Sequence, residues 1–182
     1  MTPTACVVLA DGQVFYGRGF GATGQCEAEL CFNTAMNGYQ EIMTDPSYAG
    51  QVVTFTFPHI GNTGVPPEDD APADPVAAGM VVKWDPTEPS NWRARETLDA
   101  WVARRGTIGV GGIDTRRLTR AIRQQGAPHV AVAHDKSGAF DLEALVAARP
   151  QAAVHRFVRP WNDPVSGTGD VTTWNDFVNA VR

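Results

Sequence analysis

The stretch ELCFNTAMNGYQEIMTDPSYAGQVVTFTFPHIGN, Glu29–Asn62, reads as strand, turn, short helix, turn, strand. From Cys26 onward, Cys26, Ala28, Leu30 and Phe32 alternate with Glu27, Glu29, Cys31 and Asn33. A period of two marks a strand with one face more buried than the other. Asn37-Gly38 and Asp45-Pro46 punctuate the residues after this strand and leave room only for a short helix around Tyr39–Met43. Gln51–Phe57 is rich in Val, Thr and Phe and predicts a second strand, which Pro58 closes.

On the amino side, Thr4–Ala10 is apolar and β-prone, Asp11-Gly12 is a two-residue turn signal, and Gln13–Tyr16 returns as a hairpin. Gly17–Gly24 is glycine-rich and predicts a loop. On the carboxyl side, Asn62–Pro75 mixes Pro66, Pro67, Pro72 and Pro75 with Glu68, Asp69, Asp70 and Asp74, an exposed acidic connection. Val76–Trp84 predicts a strand stopped by Pro86 and Pro89. Thr97–Arg105 predicts a helix that ends at Gly106, with Leu98, Trp101 and Val102 on one side. Thr107–Val110 is a short strand, after which Asp114 caps a helix that carries Leu118, Ala121 and Ile122 to Gly126. His129–Ala133 predicts a strand and Asp141–Ala148 a last helix. The fold class is therefore mixed α/β, a mixed sheet layered with helices and not a doubly wound parallel fold.

The chain has 182 residues, enough for one domain with an appended tail. With 43% hydrophobic and 19% charged residues it has a globular composition, which excludes disorder throughout. A formal net charge of −5 gives no footprint for nucleic acid. Cys6, Cys26 and Cys31 form no CxxC pair, and the amino terminus has no basic, apolar leader, so reduced thiols in a cytoplasmic protein are expected. No apolar run reaches the roughly 18–20 residues that a membrane span needs, so no membrane partner is expected.

Chemistry-bearing residues are sparse. The cysteines fall in or beside predicted strands, away from any strand-to-helix elbow, and read as small buried hydrophobes. His59, His129, His134 and His155 have no metal-pair spacing, and His59 is expected to fix its turn by bonding the backbone. Neither Gly17–Gly24 nor Gly109–Asp114 matches a phosphate-loop pattern, and turn geometry explains both better than an anion cradle. Arg116, Arg117, Arg120 and Arg123 give one helix a basic side, which suits either a solvated face or an acidic partner. Ser47 follows Asp45-Pro46 with no base nearby and no GxSxG, so the residues leave it as a turn hydroxyl or a ligand contact.

The central run, together with DGQVFYGRGFGATG, AAGMVVKW, PSNWR and GVGGIDTRRLTRAIRQQGA in the same order, resembles the small, glutamine-hydrolysing subunit of carbamoyl-phosphate synthetase. The match covers roughly residues 5–148. The resemblance implies a β/β/α layered N-terminal domain, residues 1–148, that packs against the large subunit and against its own class I glutaminase domain. That glutaminase frees ammonia from glutamine, and the large subunit, using ATP and Mg, makes carbamoyl phosphate from it with bicarbonate for pyrimidine and arginine synthesis. No cofactor is expected in this chain. The resemblance also places Ser47 of DPSY in the glutamine pocket. No catalytic residue and no metal ligand is carried over.

After Ala148 the likeness stops. No cysteine follows Cys31, so the Cys-His-Glu glutaminase site is not in this chain. Residues 149–182 place Trp174, Phe177, Val178 and Val181 at i, i+3, i+4 and i+7, with Thr173 and Asp176 as a cap pair. A short docked helix and a stretch from a foreign reading frame both fit. The expected role is a non-catalytic subunit domain. The alternatives are a small cysteine hydrolase using His59, and a stand-alone interaction module with another partner.

Overall fold

The structure, a computed structural model, describes residues 2–66 and 77–148. Seven strands carry the fold: β1 (Ala5–Leu9), β2 (Val14–Gly21), β3 (Gly24–Asn33), β4 (Gln51–Phe55), β5 (Gly79–Val81), β6 (Ile108–Gly111) and β7 (His129–His134). Among the described residues four α-helices accompany them: α1 (Tyr39–Thr44), α2 (Leu98–Arg104), α3 (Thr115–Gln125) and α4 (Leu142–Ala147). The strands pair in the order β1-β2-β6-β5-β4-β3-β7, and β7 returns to β1, so the sheet closes into a barrel. Three neighbouring pairs, β3/β4, β4/β5 and β5/β6, are parallel and the rest antiparallel. The expected mixed α/β class is what the chain adopts, but the sheet is a closed ring.

The alternation of side chains across each strand explains how three hydrophobic clusters arise. Ala5, Val7, Leu9, Phe15, Ala28, Leu30, Val52, Val81, Ile108, Val110, Val130 and Val132 form one cluster. Every strand contributes to it, which places it inside the ring. Leu118, Ala121 and Ile122 of α3 join it. Cys6, Val8, Ala131 and Ala133 point the other way and meet Leu145 of α4. On the outside of β4 and β5, Val53, Phe55, Met80 and Val82 pack against Tyr39 and Met43 of α1 and Leu98, Trp101 and Val102 of α2.

Local chemistry sets the element ends. Leu9 N–H donates to the Gln13 carbonyl at 2.8 Å, and Gly12, at φ 86°, turns the β1–β2 hairpin where Asp11-Gly12 predicts it. Thr97, Asp114 and Asp141 cap α2, α3 and α4, each side-chain oxygen accepting a backbone N–H three residues on, at 3.1, 3.0 and 3.0 Å.

Four expectations change. Gly17–Gly24 is not a loop: β2 runs through Gly21 and β3 begins at Gly24, because the barrel needs small residues where strands crowd one another. Val76–Trp84 shrinks to Gly79–Val81, because after Val82 donates to the Val110 carbonyl the chain bends at Lys83 and Trp84. Within the expected exposed connection, Val65 and Pro66 are buried, and Val65 bridges Glu96. Residues 67–75 of that connection, Val76 of the predicted strand, and the whole predicted tail helix from Thr173 lie outside the described residues. Among the described residues the His59 ring has no backbone partner: it stacks on Trp84 with centroids 6.3 Å apart and meets the edge of Phe57.

Candidate functional site

Ser47 sits in a single 3-10 turn, Pro46–Tyr48, between α1 and β4. Proline opens the turn with its φ already set, and the Asp45 carboxylate accepts the Ser47 N–H at 2.8 Å. The turn is tied at both sides. Asn33 at the end of β3 donates from Nδ2 to Tyr48 Oη at 2.9 Å, and Gln51 at the start of β4 donates to Glu29 Oε2 at 2.9 Å. Behind it, α1 is held by the Tyr39 hydroxyl on Thr63 and Gly64, and by Gln40 Nε2 donating to the Pro66 carbonyl at 3.2 Å.

The Ser47 hydroxyl does none of this anchoring. Asp45 caps the turn, Ser47 is exposed, and its Oγ has no hydrogen-bond partner among the described residues. It is a donor and acceptor presented on a fixed scaffold. The signal for Asp45 and Asn33 was the Asp-Pro-Ser spelling and the end of the β3 alternation, but their partnership needed the fold.

The other candidates do not converge on it. Burial pushes the thiols up, Cys6 and Cys26 to about 11 and Cys31 to about 12, with Glu27 and Glu29 adding to the last two. Such thiols are inert at neutral pH, because the thiolate is the nucleophile. Among the described residues no group of three or more His, Cys, Asp and Glu converges as a metal site would. The Gly111-Gly112 turn faces the Asp85 carboxylate, itself paired with Arg18, so a bound anion there would meet like charge. A cleft of about 570 Å³ is lined by Thr23, Gln25, His134, Asp135 and Phe140. It lies at the Gly24 end of β3, whereas Ser47 is tied to the Asn33 end, roughly 30 Å away at about 3.3 Å per residue.

The raised thiols predict an alkaline weakness. The unfolded chain releases its thiol protons near pH 8.5, and the folded chain holds them to about pH 11. This contribution to stability is complete below about pH 8.5 and is lost as the pH rises towards 11. Thermal melts are expected to be level up to that point and then fall. A variant with all three cysteines replaced by alanine is expected to lose less over the same window. An equally steep fall in that variant would assign the effect to other groups.

Compared with known proteins, residues 7–132 match the family model of the carbamoyl-phosphate synthase small chain, CPSase domain. The carbamoyl phosphate synthase small chain of Ruegeria pomeroyi is 80% identical over 146 residues, 80% of this chain and 38% of that protein. The small chain of Rhizobium meliloti is 59% identical over 149 residues, 80% of this chain and 37% of that one. This chain thus spans a little over a third of the length of the curated relatives it matches. Among solved structures, an aminopeptidase from Aneurinibacillus aligns with a TM-score of 0.43 at 14% identity, over 74% of this chain and 31% of its own, a likeness too weak to argue from.

Proposed function

Because the chain belongs to the carbamoyl-phosphate synthase small-chain family, we propose that it acts as the non-catalytic N-terminal part of a glutamine-hydrolysing synthetase subunit. It docks on the large subunit and supplies one wall of the glutamine pocket. The observation that carries this reading is the family match over residues 7–132, which falls on the CPSase domain of the small chain. The thiols that are present are held protonated by burial, which argues against the independent hydrolase.

In this reading Ser47 contacts glutamine, and its free hydroxyl on a turn capped by Asp45 supports that role. The β/β/α layering that the resemblance implies belongs to this reading, and the packing of α1 and α2 outside β4 and β5 supports it. The setting is cytoplasmic, and ATP with Mg serves the large subunit.

The chain alone is expected to release no glutamate from glutamine and to co-purify with the large subunit of the Ruegeria pomeroyi synthetase. A stable complex with an unrelated protein, and none with the large subunit, would favour the stand-alone module. For Ser47, the matched part of the Ruegeria pomeroyi small chain is replaced by residues 1–148. In this chimera Ser47→Ala is expected to raise KM for glutamine about three- to tenfold, the worth of one hydrogen bond, and to leave ammonia-dependent synthesis unchanged. An unaltered KM would return Ser47 to a turn residue.

A further inference from the structure

The outer side of α3 carries a row of basic side chains. At about 100° per residue, Arg116, Arg117, Arg120 and Arg123 fill an arc of about 120°. That arc lies opposite Leu118, Ala121 and Ile122, which are buried in the barrel cluster. All four arginines are exposed, and the helix TRRLTRAIRQQ contains no acidic residue.

Two other arginines of the domain are matched with carboxylates, Arg18 with Asp85 and Arg104 with Glu96. Among the described residues, these four have no carboxylate partner. Two of them are nonetheless held in place. The Arg117 guanidinium lies 5.0 Å from the centroid of Phe15, and that of Arg123 lies 5.4 Å from Phe32. A ring beside a guanidinium limits the motion of that side chain, and its N–H groups remain able to bond a carboxylate. The whole chain carries a net charge of −5, so this face is a local reversal of sign. It also borders the Ser47 turn, since Phe32 precedes Asn33, the residue that holds Tyr48.

We propose that the arginine face of α3 is a docking surface for a carboxylate-rich face of the large subunit. The inference rests on the proposed docking to that subunit and specifies where the contact lies. A single small anion fits poorly, because Arg116 and Arg123 are about 10 Å apart along the helix axis at 1.5 Å per residue. Four guanidinium groups spread along an exposed helix suit a surface of several carboxylates, and complementary charge of this kind sets orientation and speeds encounter.

The test uses the 182-residue chain on a biosensor surface with the purified Ruegeria pomeroyi large subunit as analyte, at 50 and 300 mM salt. Affinity of the parent is expected to fall about tenfold or more between the two salts, as screening removes charge attraction. Arg116→Glu with Arg120→Glu is expected to weaken binding at 50 mM by about 30-fold or more. Arg116→Gln with Arg120→Gln, which leaves both stacked arginines in place, is expected to weaken it about fivefold. Lys136→Glu, at the opposite end of β3, is expected to change nothing. Circular dichroism confirms that each variant is folded. If the parent binds and the α3 variants bind equally well, or if Lys136→Glu weakens binding as much as they do, the α3 assignment is overturned and docking stands. If the parent itself does not bind, the docking reading falls and takes this inference with it.

Discussion

Replacing Trp101 by alanine is expected to cost about 3–5 kcal/mol of stability, the range for truncating a large aromatic in a packed core. Trp101 is fully buried and shares its cluster with Met43, Phe55, Met80 and Leu98, so it joins both outer helices to the β4–β5 wall. The Arg105 guanidinium, 4.6 Å from the ring centroid, covers its remaining face. Trp101 is the largest of the fully buried side chains, so its removal leaves a void beside the short strand β5 and a helix of two turns. For a domain of this size the loss corresponds to a fall in Tm of roughly 6–20 °C. Trp92, 92% exposed, provides the matched control, and Trp92→Ala is expected to stay within about 0.5 kcal/mol of the parent. Equal effects of the two substitutions would show that the outer cluster is not a core.

Gly17→Ala is expected to be comparably damaging, at about 3 kcal/mol or more, by overpacking instead of by leaving a void. A β-carbon at Gly17 would overlap the carbonyl oxygen of Gly111 and would lie 2.9 Å from Val110 Cγ1 and 3.1 Å from Ile113 Cδ1. The first obstacle is backbone, which cannot swing aside as a side chain can. Relief requires β2 and β6 to part, at the seam where the Arg18–Asp85 pair also crosses. Gly12→Asn tests whether the effect is specific. Its site is open, with nothing within 4 Å of an added β-carbon, and asparagine tolerates the left-handed φ of 86°. That substitution is expected to cost less than about 1 kcal/mol. A mild Gly17→Ala would mean that the β2–β6 seam is slack.

The elements that could be read in advance are those whose pattern is local. The alternation from Cys26 to Asn33, the Asp11-Gly12 turn, and the caps Thr97, Asp114 and Asp141 each need only a few neighbouring residues, and each stands where it is expected. Gly17–Gly24 was misleading because two opposite demands use the same residue. Glycine permits a turn, and it also permits two strands to approach closely, and only the position of Gly111 decides between them. Closure of the sheet was likewise invisible, since the Ala5–His134 pairing joins the two ends of the domain. At the candidate site, the Asp-Pro-Ser spelling predicts the turn, whereas its attachment through Asn33 and Tyr48 depends on β3 and β4 lying side by side. Full burial of Cys6 followed from strand position, whereas Cys26 and Cys31, on β3, are only half-buried. His59 stacking on Trp84 did not, because no local rule links residues on different strands' extensions.

The closed ring also sets a timetable. β1 is among the first segments to be made, and both β1 and β3 require β7 as a neighbour. At about 5–20 residues per second, Ala5 waits roughly 6–25 s for its partner His134 to be synthesised. Through that interval β1 and β3 each lack a neighbour, and so few of the pairings are local that closure is a slow, late step. The nascent domain is therefore most exposed to mispairing just before its last strand emerges. A substitution in His129–His134 would reduce the yield of folded protein more than its cost to the finished barrel suggests.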